Sequence, residues 1–153
     1  CEVQDVGLSS QGAPVAITRI DEEAFGEKTQ FKVTIKNVGK GEIIKSEYIE
    51  KCDPFGVNKI VREDLDKVKL DEVKIGDRAL ECWPFIDGDL KSTKGFIRLI
   101  DGEGSVICEF KKSDYSGGAS SSAYKTPIKV LLSYAYRTTA EKKLQIKNEA
   151  TNR

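Results

Sequence analysis

Hydrophobic and polar residues alternate regularly along residues 30–36, at the start of the segment 30–44. The alternation has a period of two, which is typical of a β-strand with one buried face. Residues 37–41 then interrupt it with Asn and Gly, which tolerate positive φ, and Ile43 and Ile44 resume it. The pattern predicts the second strand, a turn and the start of the third strand of a β-sandwich. The buried face of that second strand is predicted to carry Phe31, Val33 and Ile35.

Comparable patterns occur along most of the chain. Residues 68–75 predict a strand bulged near Asp71, and residues 59–66 allow one short helix. Residues 111–123 form a long Ser/Gly-rich loop. A hairpin is predicted around the turn 101–104, and alternation over residues 128–136 predicts the longest strand. The other predicted strands are 13–21, 30–37, 42–52 and 78–85, and a last one that begins at Leu144 and Ile146, with residues 22–29 as a charged connection.

These elements predict an all-β fold, an Ig-like antiparallel β-sandwich of about eight or nine strands. The sandwich domain is predicted to span residues 13–153, and residues 1–12 form an N-terminal arm. Two independent alternating runs must bury their apolar faces against a partner layer, and this defines the predicted core. Its members are Phe31, Val33, Ile35, Ile128, Val130, Leu132 and Tyr134.

Two segments carry a resemblance to a known class of domains. A strand that ends in Asn-x-Gly-x-Gly, as residues 30–41 do, resembles CARDB-like and other immunoglobulin-like repeats of archaeal and bacterial surface proteins. The later segment LLSYAYRTTAEKKLQIKN resembles the closing hairpin of small Ig-like ectodomains of archaeal surface proteins. The resemblance implies an Ig-like fold at a cell surface, and it implies no specific activity.

The charge balance argues against a nucleic-acid partner. The 153 residues carry 25 basic and 25 acidic side chains, so the formal net charge is zero. No overall field therefore attracts nucleic acid or an anionic membrane. Aromatic residues are not interleaved with the lysines, so the pattern that stacks on bases is missing from the sequence.

The chain contains no His, which excludes Ser–His and Cys–His nucleophile pairs and most zinc sites. Catalysis by carboxylates, Lys or Tyr would need a base, a nucleophile and an orienting group, and no motif assembles that set. The protein is therefore predicted not to be an enzyme and to have no catalytic residues.

The chain also contains no Met and begins at Cys1, which predicts a processed product whose secretory signal lies upstream. A Cys at a mature N-terminus resembles that of a lipoprotein, in which the Cys is acylated and tethers the protein to a membrane. The alternative is that Cys1 takes part in a disulfide. Both interpretations place the protein outside the cell or at its surface.

Four cysteines in an extracellular β-domain predict disulfides. Cys1, Cys52, Cys82 and Cys108 allow three pairings if all are joined, and the sequence leaves the choice open. At least one bond is predicted, with Cys52 as its favoured member. A bond from Cys52 to Cys82 would stabilise the fold by about 3–4 kcal/mol in the chain-entropy model. No CxxC motif is present, so neither a redox motif nor a zinc knuckle is supported.

Two tight acidic turns are candidate calcium sites, because calcium ligands are often carboxylates in such turns. Neither turn fits the twelve-residue EF-hand loop, and acidic Gly-rich turns are common without a metal. No cofactor is therefore predicted, with calcium as the open alternative. The candidate ligands are Asp87, Asp89, Asp101 and Glu103.

Apolar side chains occur on both faces of residues 78–85. Leu80 and Cys82 share one face, and Trp83 and Phe85 share the other. The second face is predicted either to meet a partner or covering loop, or to place Trp83 as a cap on the end of the sandwich.

The function predicted from these features is a non-enzymatic extracellular structural subunit that polymerises with itself as a pilus, filament, tube or surface layer. Sandwich domains expose edge strands, and a terminal segment of one subunit can complete the sheet of the next. The predicted donor is the N-terminal arm, whose apolar residues are Val3, Val6 and Leu8. The alternative is a lipid-anchored binding or adhesion module that is held to the membrane through Cys1.

Overall fold

The computed structural model of the chain describes residues 13–51, 60–111, 127–138, 140 and 142–146. Within these residues the chain forms ten β-strands and two short 3-10 helices. The helices are η1 (Ser46–Lys51) and η2 (Arg62–Asp64). The strands are β1 (Val15–Phe25), β2 (Lys28–Asn37), β3 (Glu42–Ile44), β4 (Lys67–Ile75), β5 (Arg78–Ala79), β6 (Glu81–Trp83), β7 (Gly95–Arg98), β8 (Glu103–Lys111), β9 (Ile128–Ser133) and β10 (Ala135–Arg137).

The strands form two principal sheets in which every pairing of the described strands is antiparallel. The first sheet has the strand order β1-β2-β8-β6. In the second sheet β4 is central, with β9 along one edge and both β7 and β5 along the other. A separate ladder joins β3 to β10, which follows β9 after a single residue. The prediction of an all-β antiparallel sandwich is confirmed.

The core lies between the two sheets and is built from the inward residues of their alternating strands. Val33 and Val106 supply it from the first sheet, and Leu70 and Val73 from the second, all fully buried. Burying one such side chain stabilises the fold by about 1.5–3 kcal/mol. The predicted core residues of β2 are buried, whereas those of the later run lie partly buried at the margin of the core. These marginal residues are Ile128, Val130, Leu132 and Tyr134.

β1 and β2 form a hairpin with a two-residue loop at residues 26–27. Gly26 has a φ of 60°, a left-handed conformation that glycine adopts without steric cost. The prediction that the first strand ends at residue 21 and that residues 22–29 form a charged connection is wrong. Charged side chains on an edge strand remain in water, so a run of charge does not by itself mark a loop.

The predicted bulge in β4 is confirmed. The register of β4 against β9 shifts between Leu70 and Glu72, which leaves Asp71 as the extra residue. The bulge resets the alternation, so Leu70 and Val73 both face the core although they are three residues apart.

The segment predicted as one strand over residues 78–85 forms two short strands in different sheets. β5 pairs with β4, whereas β6 pairs with β8. Leu80 and Cys82 share one face as predicted, and that face is the core, but Phe85, predicted on the opposite face, is also buried at 3% exposure. The chain leaves β6 after Trp83, so strand alternation no longer determines where Phe85 points.

β7 and β8, predicted as a hairpin, belong to opposite sheets. The predicted turn between them does form. Ile100 N–H donates to Glu103 O at 2.9 Å, and Glu103 N–H donates to Ile100 O at 3.1 Å. Turn residues determine where the chain reverses, but they do not determine which strands then pair.

The third strand is shorter than predicted. β3 ends at Ile44, and η1 occupies Ser46–Lys51 of the segment predicted as strand over residues 42–52. Ile44 and Tyr48 are four residues apart, a spacing that fits a helical period as well as strand parity. Of the short helix predicted at residues 59–66, the described part contains the single 3-10 turn of η2.

The run predicted as the longest strand divides at Tyr134 into β9 and β10, and β1 is longer at 11 residues. The last predicted strand is absent from the described residues at the C-terminal end, because residues 142–146 form no strand. Leu144 and Ile146 are instead 73% and 91% exposed. Most of the predicted Ser/Gly-rich loop, residues 112–123, lies outside the described residues.

The turn at residues 37–41 joins the start of β1 to β10. Gly39 N–H donates to Pro14 O at 3.2 Å, and Gly41 N–H donates to Tyr136 Oη at 2.6 Å. A Cβ atom on Gly39 or Gly41 would collide with the Tyr136 side chain. Neither glycine has a positive φ, so the sequence-based reason for them is wrong. They are needed because Tyr136 packs directly against the backbone of the turn.

Candidate functional site

The two edges of the first sheet are the candidate interaction surfaces, because an edge strand presents backbone N–H and C=O groups to any added strand. β6 forms one edge and β1 the other. The N-terminal arm predicted as a donor strand lies outside the described residues, as do its apolar residues Val3, Val6 and Leu8.

β6 is cross-linked to its neighbour β8 by a disulfide. Cys82 and Cys108 lie directly opposite each other in the register, with Cα atoms 4.1 Å apart and an Sγ–Sγ distance of 2.04 Å. Both are fully buried in the core. The prediction of at least one disulfide is confirmed, although it favoured Cys52. Cys1 and Cys52 lie outside the described residues.

The outer edge of β6 is covered by the chain's own loop between β6 and β7. Cys82 N–H donates to Ser92 O at 2.7 Å, and Ser92 N–H donates to Cys82 O at 3.1 Å. Because the backbone groups of Cys82 point to Ser92, the disulfide joins a closely spaced, non-hydrogen-bonded pair of β6 and β8. A loop residue therefore occupies the position where a further strand would pair.

β1 is an open edge. Its 11 residues pair with β2 on one side, and the described chain places no strand along the other. β1 carries Arg19 against Asp21, Glu22 and Glu23, which gives a net charge of 1 − 3 = −2. A bulge between Ile17 and Arg19 adds a further irregularity. Bulges and charges discourage pairing with an arbitrary strand but leave the backbone accessible to a complementary one.

β9 is the corresponding edge of the second sheet. It pairs with β4 on one side, and no described strand lies along its other side. β9 contains Lys129 and no acidic residue, and Lys129 lies opposite Lys74 of β4. Leu131 faces outward and is 47% exposed. An added strand would therefore meet positive charge and one apolar side chain here.

The four predicted calcium ligands lie in the loops before and after β7 and at the start of β8. Asp87 Oδ2 accepts a hydrogen bond from Lys67 Nζ at 2.6 Å and lies 3.3 Å from Lys45 Nζ. Its carboxylate is thus paired with two ammonium groups. The residues that the structure describes contain no group of three or more His, Cys, Asp or Glu that is placed to hold a metal. Calcium binding stays a prediction for this set, Asp87, Asp89, Asp101 and Glu103.

Lys67 is a buried cation on the outer side of the second sheet. Its side chain is 7% exposed, and it alternates along β4 with the core residue Val68. The hydrogen bond from Lys67 lowers the pKa of Asp87 below its ordinary value, an effect that desolvation opposes and Lys45 reinforces. A buried ammonium is costly without such a partner. The ion pair therefore fastens the loop between β6 and β7 to the sheet.

An open depression of about 260 Å³ lies beside this ion pair. Lys69, Lys94 and Phe96 line it together with Asp87 and other residues of the loop. The Nζ atom of Lys69 lies 5.9 Å from the centre of the Phe96 ring. Charged groups and an aromatic face provide the chemistry of reversible polar binding.

Trp83 lies on the outer face of the first sheet, on the opposite side of β6 from the buried Cys82. It is opposite Ile107 in the β6–β8 register and is partly exposed. Lys91 Nζ lies 4.6 Å from the centre of its ring. A loop residue thus covers part of Trp83, in agreement with the covering loop proposed from the sequence.

Lys91 also joins the loop to an acidic row of the first sheet, which consists of Glu81 and Glu109 on neighbouring strands. Lys91 Nζ lies 3.3 Å from Glu109 Oε2 and 3.8 Å from Glu81 Oε2. Lys28 Nζ lies 3.3 Å from Glu109 Oε1. Burial raises the pKa of Glu109, but the hydrogen bonds from Lys28 and Lys91 outweigh it and hold the pKa below its ordinary value.

Residues 142–146 are a further candidate because they form no strand and expose apolar side chains. Leu144 and Ile146 alternate with Lys143 and Gln145, which is the pattern of a half-buried strand. Exposure of both apolar residues, at 73% and 91%, means that this pattern is not satisfied within the described chain.

The sequence contained a signal for the disulfide and none for the ion pair. Cys82 shares parity with the buried Leu80, and Cys108 shares parity with the buried Val106, so both face the core and are able to meet. Lys67, by contrast, precedes an alternating run, where a lysine normally lies in water. Its burial depends on a loop that the chain places over it later.

No family model matches this chain, and no curated protein or solved structure shows a significant similarity to it. Among the described residues, no helix is both long and apolar enough to cross a membrane.

Proposed function

We propose that this chain is a non-enzymatic subunit of an extracellular assembly that grows by the addition of a β-strand from one subunit to an open sheet edge of the next. The observation that carries the proposal is the contrast between the covered edge at β6 and the 11-residue edge at β1, along which the described chain places no strand. An uncovered edge of that length is a template for strand addition.

The extracellular placement is supported by the disulfide in the core. Cys82 and Cys108 are both fully buried, so their bond is a structural one. Structural disulfides persist in oxidising compartments and are rare in the cytosol. The bond is also compatible with a protein that must stay folded outside the cell, without the cell's repair systems.

Strand addition of this kind produces a polymer. A donor segment of one copy and an acceptor edge of another are different surfaces, so the contact is heterologous. Such contacts repeat from copy to copy and give a ring or an open fibre, depending on the rotation between subunits. The sequence proposes the arm at residues 1–12 as one donor, through Val3, Val6 and Leu8.

The test is to purify the chain of residues 1–153 with its disulfides oxidised and to follow assembly by negative-stain electron microscopy and sedimentation. Filaments, tubes or sheets are the expected result. A chain that lacks residues 1–12 is expected to stay folded by circular dichroism but to assemble poorly. An intact chain that remains monomeric at high concentration would overturn the proposal.

A binding module is the second candidate, and the depression beside Phe96 favours it. Lys69 and Lys94 line the depression together with the aromatic ring. The test follows the NMR signals of the Lys69 and Phe96 amides while a panel of acidic and neutral oligosaccharides is added. Shifts of these signals in a chain that stays monomeric would support the binding role. Unchanged spectra together with polymer formation would exclude the binding role and keep the structural role as the single candidate.

A further inference from the structure

We infer that the segment 142–146 of one copy adds as a strand to the outer edge of β1 in a second copy. This inference rests on the proposed function and names a second donor in addition to the N-terminal arm. The acceptor is the backbone of β1 from Ile17 to Asp21 and its neighbours, which pairs with β2 on its other side.

The segment has the composition of a strand that lacks a partner. Leu144 and Ile146 point to one face of an extended chain, and Lys143 and Gln145 point to the other. Ile146 is 91% exposed, more than any other large hydrophobic residue of the described chain. A strand added to a sheet edge would cover both apolar residues and satisfy the backbone groups of the segment.

Charge selects between the two open edges. Residues 142–146 contain Lys142 and Lys143 and no acidic residue, which gives a net charge of +2. β1 has a net charge of −2, whereas β9 carries a single lysine and has a net charge of +1. Opposite charges on neighbouring strands stabilise pairing, and like charges destabilise it. The segment therefore fits β1 and is repelled by β9.

One antiparallel register satisfies both faces at once. It places Leu144 opposite Ile20, which is half-buried at the margin of the core. The same register places Lys142 opposite Glu22. Leu144 of the added strand would then extend the apolar margin beside Ile20. At the other end of the strand, Lys142 would pair with the opposite charge of Glu22.

The same register also gives the outer face an ion pair, because it places Lys143 opposite Asp21. Asp21 already accepts a hydrogen bond from Arg19 Nε at 2.7 Å, so the carboxylate is held in position on the strand. Within one copy residues 142–146 form no strand and stay exposed, which is why the partner is a second copy.

The experiment compares critical concentrations for assembly by sedimentation, always in the full-length chain. The variant Leu144→Ser with Ile146→Ser is expected to raise the critical concentration about tenfold or more, because two apolar side chains lose their burial. The matched control is Leu90→Ser, which changes a side chain that is 65% exposed in the loop between β6 and β7. The control is expected to assemble like the unchanged chain.

A charge exchange tests the register. Glu22→Lys alone and Lys142→Glu alone are each expected to raise the critical concentration severalfold, and the two together in one chain are expected to restore it. Assembly that weakens with each single change and does not recover in the double variant would overturn the register of Lys142 with Glu22.

The outcomes separate this inference from the proposed function. If the intact chain polymerises and the Leu144/Ile146 double variant polymerises equally well, the C-terminal segment is not a donor and the inference is overturned. If the double variant instead lowers the stability of the monomer, the segment pairs within its own chain, which also overturns the inference. If the intact chain never polymerises, the proposed function itself fails.

Discussion

The two edges of the first sheet are built in opposite ways. At β6 the strand is three residues long, its partner β8 is joined to it by the Cys82–Cys108 bond, and Ser92 occupies its outer backbone groups. At β1 the strand is 11 residues long, and its outer side meets no strand of the described chain. The chain therefore covers one edge with a hydrogen-bonded loop and anchors that edge strand with a disulfide, whereas it protects the other edge with charges and a bulge.

The difference shows where a specific partner can bind. An edge covered by a loop excludes every added strand, whereas an edge that carries charges excludes only strands of the wrong charge. The acidic residues of β1, Asp21, Glu22 and Glu23, make it selective for a basic strand. In the proposed assembly, the covered edge at β6 confines strand addition to the β1 side of the first sheet.

The largest expected effect on stability comes from removing the Cys82–Cys108 disulfide, which joins β6 to β8. Replacement of both Cys82 and Cys108 by Ala removes a cross-link between residues separated by 26 positions. In the chain-entropy model the free energy of unfolding falls by about 3–4 kcal/mol. Urea denaturation of the oxidised chain and of the double variant measures the difference.

The control for this prediction is hydrogen exchange at the two edges. The amide of Cys82 in the intact chain, which donates to Ser92, is expected to exchange more slowly than the amides on the outer side of β1. A loss of stability below about 1 kcal/mol in the double variant would show that backbone bonds and packing close β6 without the disulfide.

The next largest effect on stability comes from the ion pair of Lys67 and Asp87, which holds the covering loop. Removing Asp87 is expected to cost more than removing Lys67. Asp87→Ala leaves Lys67, 5% exposed, without its acceptor, and we expect a loss of about 2–3 kcal/mol. That range is set below the usual cost of breaking a buried pair, because the Asp87 side chain is 43% exposed. Lys67→Met removes the charge and keeps an apolar stem, so its cost is expected to stay below about 1 kcal/mol.

Denaturation of both variants at neutral and acid pH checks this asymmetry. The pKa of Asp87 is lowered in the folded state, so its contribution to stability is present above its ordinary pKa of 3.8 and is lost as the pH falls through the folded value. The gap between the unchanged chain and Asp87→Ala should therefore narrow in acid. If Asp87→Ala and Lys67→Met lower the free energy of unfolding equally at neutral pH, Asp87→Ala does not leave a buried, unpaired Lys67 ammonium, and the prediction is wrong.

The turn beside the open edge supplies a third test. A Cβ atom on Gly41 would meet the backbone carbonyl oxygen of Arg137 and would lie 2.7 Å from Cε1 of Tyr136. Since β10 would have to move, Gly41→Ala is expected to cost about 2 kcal/mol. The matched change Gly26→Ala meets no atom within 4 Å and is expected to cost about 1 kcal/mol through its positive φ.

Thermal unfolding of the two glycine variants distinguishes crowding from backbone strain. Gly41→Ala should in addition speed hydrogen exchange in β10 while leaving the Cys82 amide unchanged, because the two lie at different edges of the molecule. A larger loss in Gly26→Ala than in Gly41→Ala would contradict the role assigned to Tyr136.

Local pattern predicted the buried face of β2, the bulge in β4 and the turn at residues 101–104, but not which strands pair. Alternation identified Phe31, Val33 and Ile35 as buried and located the bulge at Asp71, because the face on which a side chain lies is a property of neighbouring positions. Pairing depends on distant segments. The same turn chemistry at Asp101 is compatible with a hairpin and with the observed crossing between sheets.

The candidate site shows the same limit. The open edge at β1 follows from strand order, which no window of sequence contains. The contact of Gly41 with Tyr136 joins residues 95 positions apart, and that of Lys67 with Asp87 joins residues 20 apart. Each makes a locally ordinary residue necessary, so the local sequence pattern gives no signal for it.

The smallest expected effect is the pH response of the acidic row beside β6. The pKa of Glu109 is held below its ordinary value of 4.5, so this residue stabilises the fold above that pH and loses its contribution as the pH falls through the folded value. The partners Lys28 and Lys91 are 56% and 46% exposed, which limits the effect to less than about 1 kcal/mol. Glu109→Gln and Lys91→Met should each flatten the decline in stability between neutral pH and pH 3, with hydrogen exchange at Cys82 as the local readout. If both variants decline as steeply as the unchanged chain while Asp87→Ala does not, acid loosens the covered edge through the loop ion pair alone.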